Sequence, residues 1–265
     1  TSPATPIMLR ALWALHVTGG VPSPVAARML RSKSDYVRAW SIQLLCEQSA
    51  PDDRVLDRFE TMAAEDGSPV VRLYLACALQ RLPLDRRWEI AERLARHAED
   101  ATDHNIPFVL WYGIEPLVSA DLARAMRLAQ VTKIPLLARF ITRRAASMAN
   151  GLDAVVSSIG QVEDAAMQRS MLTEVVTALR GRARPSMPAS WSKIYGKLAS
   201  SEDKLVRERA EFLAVRFGDR RVFPVMRETL IDSETSLADR RHALTVLAEG
   251  GDPDLPPILH GLMTT

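Results

Sequence analysis

One phrase recurs along this 265-residue chain at a fixed interval. Asp35-Tyr-Val-Arg38 opens an apolar helical stretch, and Val70-Val-Arg72 opens another 34 positions later. Val206-Arg207 and Arg240-Arg241 repeat it downstream, with Arg241 again 34 positions after Arg207. A helix pair of this kind cannot bury its apolar face alone, so the units have to stack. The period therefore predicts an all-α chain: an α-solenoid (α-α superhelix), right-handed, of about seven or eight helix pairs.

Each residue of the phrase has a structural reading. An Asp at the helix start caps free amides and suits the positive end of the helix dipole. The Val packs into the preceding unit. The Arg one position on is placed to reach a carboxylate of the neighbouring turn, tying stacked units into a ladder through Asp35, Arg38, Arg72, Arg207 and Arg241. Small residues shortly after it, Ala76, Ala210 and Ala243, let the partner helix approach.

Turn residues punctuate the rest. Helices are expected over 7–17, 36–48, 53–64, 69–81 and 85–98, with Ser23 and Asp35 as caps and Gly19-Gly20 and Pro83 as stops. An apolar helix from Ile106 runs to Pro116, followed by helices at 119–131, 133–149, 151–160 and 163–180. Gly181-Arg-Ala-Arg-Pro-Ser-Met-Pro188 is the best linker candidate. Helices resume at 189–200, 203–217, 219–231, 236–249 and 254–263. No alternating strand pattern appears. The expected organisation is a single solenoid over 1–265: regular repeats at 7–98, a divergent centre at 99–188, and regular repeats again at 189–263.

Composition narrows the function classes. The net charge of +2 is too mild to argue for nucleic acid by itself. Of the 34 basic residues, 29 are Arg, a multi-donor side chain suited to bridging neighbouring repeats. No apolar run reaches the ~18–20 residues that span a bilayer. The opening Thr1-Ser-Pro-Ala-Thr-Pro6 has no basic n-region, so any targeting signal is expected to lie outside it. Cys46 and Cys77 fall at different offsets in their repeats and read as buried thiols rather than a disulfide. There is no C-x-x-C-H, phosphate-binding Gly-rich loop, G-x-S-x-G or H-E-x-x-H. No catalytic residue is assigned, and the chain is expected not to be an enzyme.

Three groups are candidates for binding. His97, Glu99, Asp100, Asp103 and His104 crowd into eight positions. Their bland reading is a solvated loop with helix caps. If a metal bound, His97, Asp100, Asp103 and His104 would hold it. Trp111, Tyr112 and Glu115 share an apolar helix, with Trp111 and Glu115 on one face; they would line a ligand pocket or, more simply, pack with the Glu on an Arg. Arg139, Arg143 and Arg144, with Arg180, Arg182 and Arg184 beyond, would form a phosphate-gripping groove. His16 reads as a hydrogen-bonded core residue.

Several phrases go beyond a generic repeat: Arg10-Ala-Leu-Trp-Ala-Leu-His16, Tyr36-Val-Arg-Ala-Trp40, Val71-Arg-Leu-Tyr-Leu-Ala-Cys-Ala-Leu-Gln-Arg-Leu-Pro83, His97-Ala-Glu-Asp100, His104-Asn-Ile-Pro107 and Trp111-Tyr-Gly-Ile-Glu-Pro-Leu117. Over residues 7–150 they resemble the HEAT-repeat region of large secreted proteins of planctomycete-type bacteria, the membrane-bound dehydrogenase or haem-binding domain proteins. The resemblance implies an extracytoplasmic module between a sugar-dehydrogenase-like propeller and a c-type cytochrome domain. Haem would belong only to that neighbour, so no cofactor is expected in this chain. The expected function is a non-catalytic scaffold whose partners are the dehydrogenase-like and cytochrome c-like domains. The alternatives are a ligand- or saccharide-binding module using residues 97–117, and a nucleic-acid-binding HEAT protein.

Overall fold

A computed structural model describes residues 4–47, 50–182 and 184–264, apart from the Ser23 side chain. Pro22 rather than Ser23 holds the cap position of the helix that starts at Ser23, and the helix expected to reach residue 48 ends at Leu45, with residue 48 itself outside the described residues. Sixteen α-helices and no strand occur among the described residues. They fall into two compact units, one running through Arg144 and one from Ala145.

The first unit contains α1 (Ala4–Gly19), α2 (Ser23–Met29), α3 (Asp35–Leu45), α4 (Asp53–Glu65), α5 (Pro69–Leu79), α6 (Leu84–Leu94), α7 (Ile106–Ala120) and α8 (Leu122–Val131). The unit boundary falls within α9 (Pro135–Ser147). Helices α1, α3, α5 and α7 stack on one another as one layer, and α4 and α6 stack in a second. The second unit contains α10 (Leu152–Gln161), α11 (Ala165–Leu179), α12 (Trp191–Ala199), α13 (Lys204–Phe217), α14 (Phe223–Ile231), α15 (Leu237–Gly250) and α16 (Leu255–Thr264). There α11, α13 and α15 form one layer and pack on α10, α12 and α14. Each unit is thus a HEAT-like α-solenoid stack.

The apolar period explains the layers. In α4, Val55, Leu56, Phe59 and Met62 recur at three- and four-residue spacing, and all four are buried. Val37, Val71 and Val206, the valines of the recurring phrase, are 0% exposed, as are the small residues Ala76, Ala210 and Ala243. Side-chain caps start many helices. Asp52, Asp121, Asp164 and Asp203 each accept a backbone amide of the first turn.

The arginine of the phrase does two things at once. Arg38 donates Nε and Nη2 to the two carboxylate oxygens of Asp66, both at 2.7 Å, and Nη1 to the Ser32 carbonyl. Arg72 repeats this one unit on, donating to both oxygens of Asp100 at 2.6 Å and to the Asp66 carbonyl at 3.1 Å. Each arginine therefore straps its own entering turn and clasps the turn of the next unit. Arg207 keeps only the first half, donating to the Ser201 and Glu202 carbonyls. Asp35 is the first helical residue rather than the cap: Ser34 takes the cap position, and the Asp35 carboxylate accepts the Ser68 hydroxyl at 3.1 Å. In α15 the arginine four residues past the cap is Arg240, which donates to the Leu230 carbonyl, while Arg241 is exposed. Matching Arg241 to Arg207 by a strict 34-residue count misplaces it by one, because α15 begins 33 rather than 34 residues after α13.

Other basic residues close helix ends. The last carbonyls of a helix lack amide partners. Arg216 donates to the Leu179 and Arg182 carbonyls, Arg182 to Ser147, and Lys197 to Gly160, each about one repeat earlier.

Two sequence boundaries move. Pro116 lies inside α7, which continues to Ala120. The proline removes the amide that would meet the Tyr112 carbonyl, and Tyr112 is on the exposed side of the helix, where that carbonyl is open to solvent. The segment 181–188 (Ala183 outside the description) joins α11 to α12 within the second unit rather than joining the two units.

Candidate functional site

The acidic and histidine cluster at 97–104 is committed to structure. Asp100 is 2% exposed and is clasped by Arg72. Arg72 is also 2% exposed, and its hydrogen bond to Asp100, working against burial, holds the guanidinium protonated above its ordinary range. Asp103 accepts the Asn105 and Ile106 amides at 2.8 Å and so caps α7; those bonds keep its carboxyl below the usual range. His97 lies 2.8 Å from the Ala63 carbonyl and 3.1 Å from Glu99, and His104 is exposed. Among the described residues no group of three or more His, Cys, Asp and Glu is arranged to hold a metal ion.

Cys46 is buried and Cys77 partly so, and both are free thiols. Burial pushes Cys46 up to about 12 and Cys77 in the same direction, which leaves neither suited to act as a nucleophile. His16 is half-buried and pairs with Glu47 at 3.1 Å.

The 111–115 triplet leads to a larger surface. On α7, Ile106, Leu110, Gly113, Ile114 and Leu117 face inward. That leaves Phe108, Trp111, Tyr112 and Glu115 on the outer side, where Phe108 is 44% and Tyr112 57% exposed. Phe140 of α9 packs against Trp111 at 5.4 Å and Phe108 at 6.1 Å. Glu115 accepts from Arg144 at 2.5 Å. Arg139 is exposed on the same helix as Arg144, and Arg143 is half-buried. Toward the chain start, Trp13 meets Trp40 edge-on at 5.0 Å, and Trp40 meets Tyr74 at 6.1 Å. Tyr36, 44% exposed, stands beside Trp13 on a shallow cleft of about 340 Å³.

Eight of the chain's 15 aromatic residues thus sit on the outer surface of the α1–α3–α5–α7 layer and the adjoining part of α9, each at least partly exposed. None is needed to fill the core, which is aliphatic at these helices. Residue-by-residue reading singled out Trp111 and Tyr112 but missed Trp13, Tyr36, Trp40, Tyr74, Phe108 and Phe140. A signal was present: Trp40, Tyr74 and Phe108 are spaced at successive 34-residue intervals, the period of the repeat itself.

The second unit uses its aromatics differently. Trp191 is fully buried, packs against Phe217 and Tyr195, and donates its indole N–H to Asp219 at 2.9 Å. Burial opposes ionisation of Asp219, but bonds from Arg221 and Trp191 outweigh it and hold the carboxyl below its usual range. Arg180 and Arg184 line a cleft of about 530 Å³ in this unit, whereas Arg182 is spent on the Ser147 carbonyl.

No protein-family profile and no curated protein matches this chain. Among solved structures, the X-ray structure of YibA from Escherichia coli is similar over 100% of this chain and 92% of its own, at 12% identity and a TM-score of 0.47. No helix among the described residues is long and apolar enough to cross a membrane.

Proposed function

We propose that this chain is a non-catalytic helical-repeat module that docks a protein domain on the aromatic face of its first unit. The observation that carries the reading is the row from Trp13 to Phe140. Exposed Trp, Tyr and Phe supply large, stiff contact area, and such residues anchor protein interfaces. The resemblance over residues 7–150 suggests the occupant: a dehydrogenase-like or cytochrome c-like domain of the same extracytoplasmic polypeptide, with this module as the spacer that holds them. The absence of a recognisable catalytic motif accords with a scaffold.

The reading is tested by titrating the chain with each domain produced separately. A 1:1 complex is expected, weakened at least about tenfold by the paired change Phe108→Ser and Tyr112→Ser with melting unchanged; truncating an interface anchor costs about 2 kcal/mol or more. Undiminished binding by that variant, or dehydrogenase turnover by the isolated chain, would sink it. A saccharide stacked on the same rings is the competing reading, favoured by the exposure of Tyr112 beside Trp111 and Glu115. Calorimetry with oligosaccharides decides between them.

A further inference from the structure

Several arginines in this protein meet a carboxylate. Arg38, Arg72, Arg124, Arg144 and Arg227 all do. The cleft of about 530 Å³ at the C-terminal ends of α11, α13 and α15 gathers four that do not. Arg180, Arg184, Arg209 and Arg216 line it, and among the described residues none of the four forms an ion pair. The Nε of Arg209 is buried without any hydrogen-bond partner, so it bears the full cost of desolvation unrepaid. Glu249 is the one acidic side chain in the cleft's lining.

Helix ends do not account for so much positive charge. Each C-terminus contributes about half a negative charge, so three ends and Glu249 leave the four guanidinium groups in excess by about 1.5 charges. Arg216 is partly spent, since it donates to the Leu179 and Arg182 carbonyls. Arg180, Arg184 and Arg209 are not. One wall of the cleft is apolar, formed by Val176, Phe212 and Val215.

We propose that this cleft binds a small organic phosphate, with the phosphoryl group among Arg180, Arg184 and Arg209 and an apolar or ring-bearing body against Phe212 and Val176. Guanidinium forks match phosphoryl oxygens two at a time, and a phosphate monoester supplies the three acceptors and nearly two charges that the site lacks. The volume is that of a small-molecule site. A long nucleic acid would need a basic stripe rather than one cleft. The site lies wholly within the second unit and does not depend on the aromatic face of the first.

The test is calorimetry on the full chain with AMP, inorganic phosphate and adenosine, alongside duplex DNA. AMP should bind at a single site, inorganic phosphate at least about tenfold more weakly, and adenosine not at all, a tenfold step being one decade of Kd. Arg209→Gln and, on the exposed turn, Arg184→Gln should each weaken AMP about tenfold with the melting temperature held within about 2 °C, the scale of a surface change. Arg184→Gln replaces no helical residue, so it decides the matter if Arg209→Gln does not fold. No heat with AMP, or AMP affinity unchanged in Arg184→Gln, would overturn the assignment. Equal affinity for inorganic phosphate would overturn its apolar half. Salt-sensitive DNA binding without AMP binding would give these arginines to nucleic acid instead.

Discussion

Arg72 and Asp100 show what one repeat position has to satisfy. Both are almost wholly buried, and the other acid near Arg72, Glu99 at 3.4 Å, is 60% exposed, so each depends chiefly on the other. Asp100→Ala is expected to cost about 3–5 kcal/mol in chemical denaturation, the penalty of an uncompensated buried charge. Asp66→Ala should cost clearly less, because Arg38 is 16% exposed and keeps its carbonyl partners. A larger loss at Asp66 would refute this ranking. His242 gives a pH dependence. Its hydrogen bond to Glu211, at 2.7 Å, raises its pKa above the ordinary 6.5 against the opposing effect of burial. The folded state therefore favours the charged ring. That contribution is complete below pH 6.5 and is lost as pH rises through the higher folded-state value. Stability measured upward from pH 6 should fall more steeply in the wild type than in His242→Gln; parallel curves would exclude the pair as the cause.

At the scale of the helix, close approach is bought by missing side chains. A Cβ on Gly113 would lie 2.6 Å from Leu79 Cβ, where α7 crosses α5. Leu79 Cβ is fixed to the backbone and cannot swing away. Gly113→Ala gains about 1 kcal/mol of helix propensity but incurs about 1–3 kcal/mol of overpacking. The net expectation is a lower melting temperature, and a rise would show that α5 and α7 separate without cost. In the second unit, Asp219→Ala should destabilise by about 1–3 kcal/mol, since it orphans the buried Trp191 N–H, whereas Arg221→Gln, on the exposed side of the same carboxylate, should cost less than half as much. Helix identity and inward faces were legible because the 3.6-residue period is written in the apolar residues. The continuation of α7 through Pro116 was not, because whether a proline ends a helix depends on what replaces the lost bond, and that depends on tertiary exposure.

Across the molecule, most of the side-chain ties described join residues about 25–37 positions apart: Arg38 to Asp66, Arg72 to Asp100, Lys204 to Asp239, Arg216 to Leu179. Stability in such an array is a sum of unit terms and nearest-neighbour terms. Hydrogen exchange in Asp100→Ala should therefore rise in α5 and α7 and stay near wild type in α13 and α15. A uniform rise would mean that the chain opens as one cooperative body. The aromatic face belongs to this scale too, since it exists only when α1, α3, α5 and α7 are stacked.

Sequence alone determined the all-α stacked-repeat architecture, the inward faces and the placing of Arg38 and Arg72 to reach a neighbouring turn, because these follow from periodicity and local capping. Tertiary structure decided which carboxylate each arginine meets. It gave Asp100 to Arg72 rather than to a metal, put Arg240 in the place assigned to Arg241, and left the arginines of the α11–α13–α15 cleft without acid partners. It also gathered scattered aromatics into one row. The physical reason is the same throughout: a helix period fixes which way a side chain points, but partners lie about one repeat away, and only packing of the helices fixes which of the available groups comes within hydrogen-bonding distance.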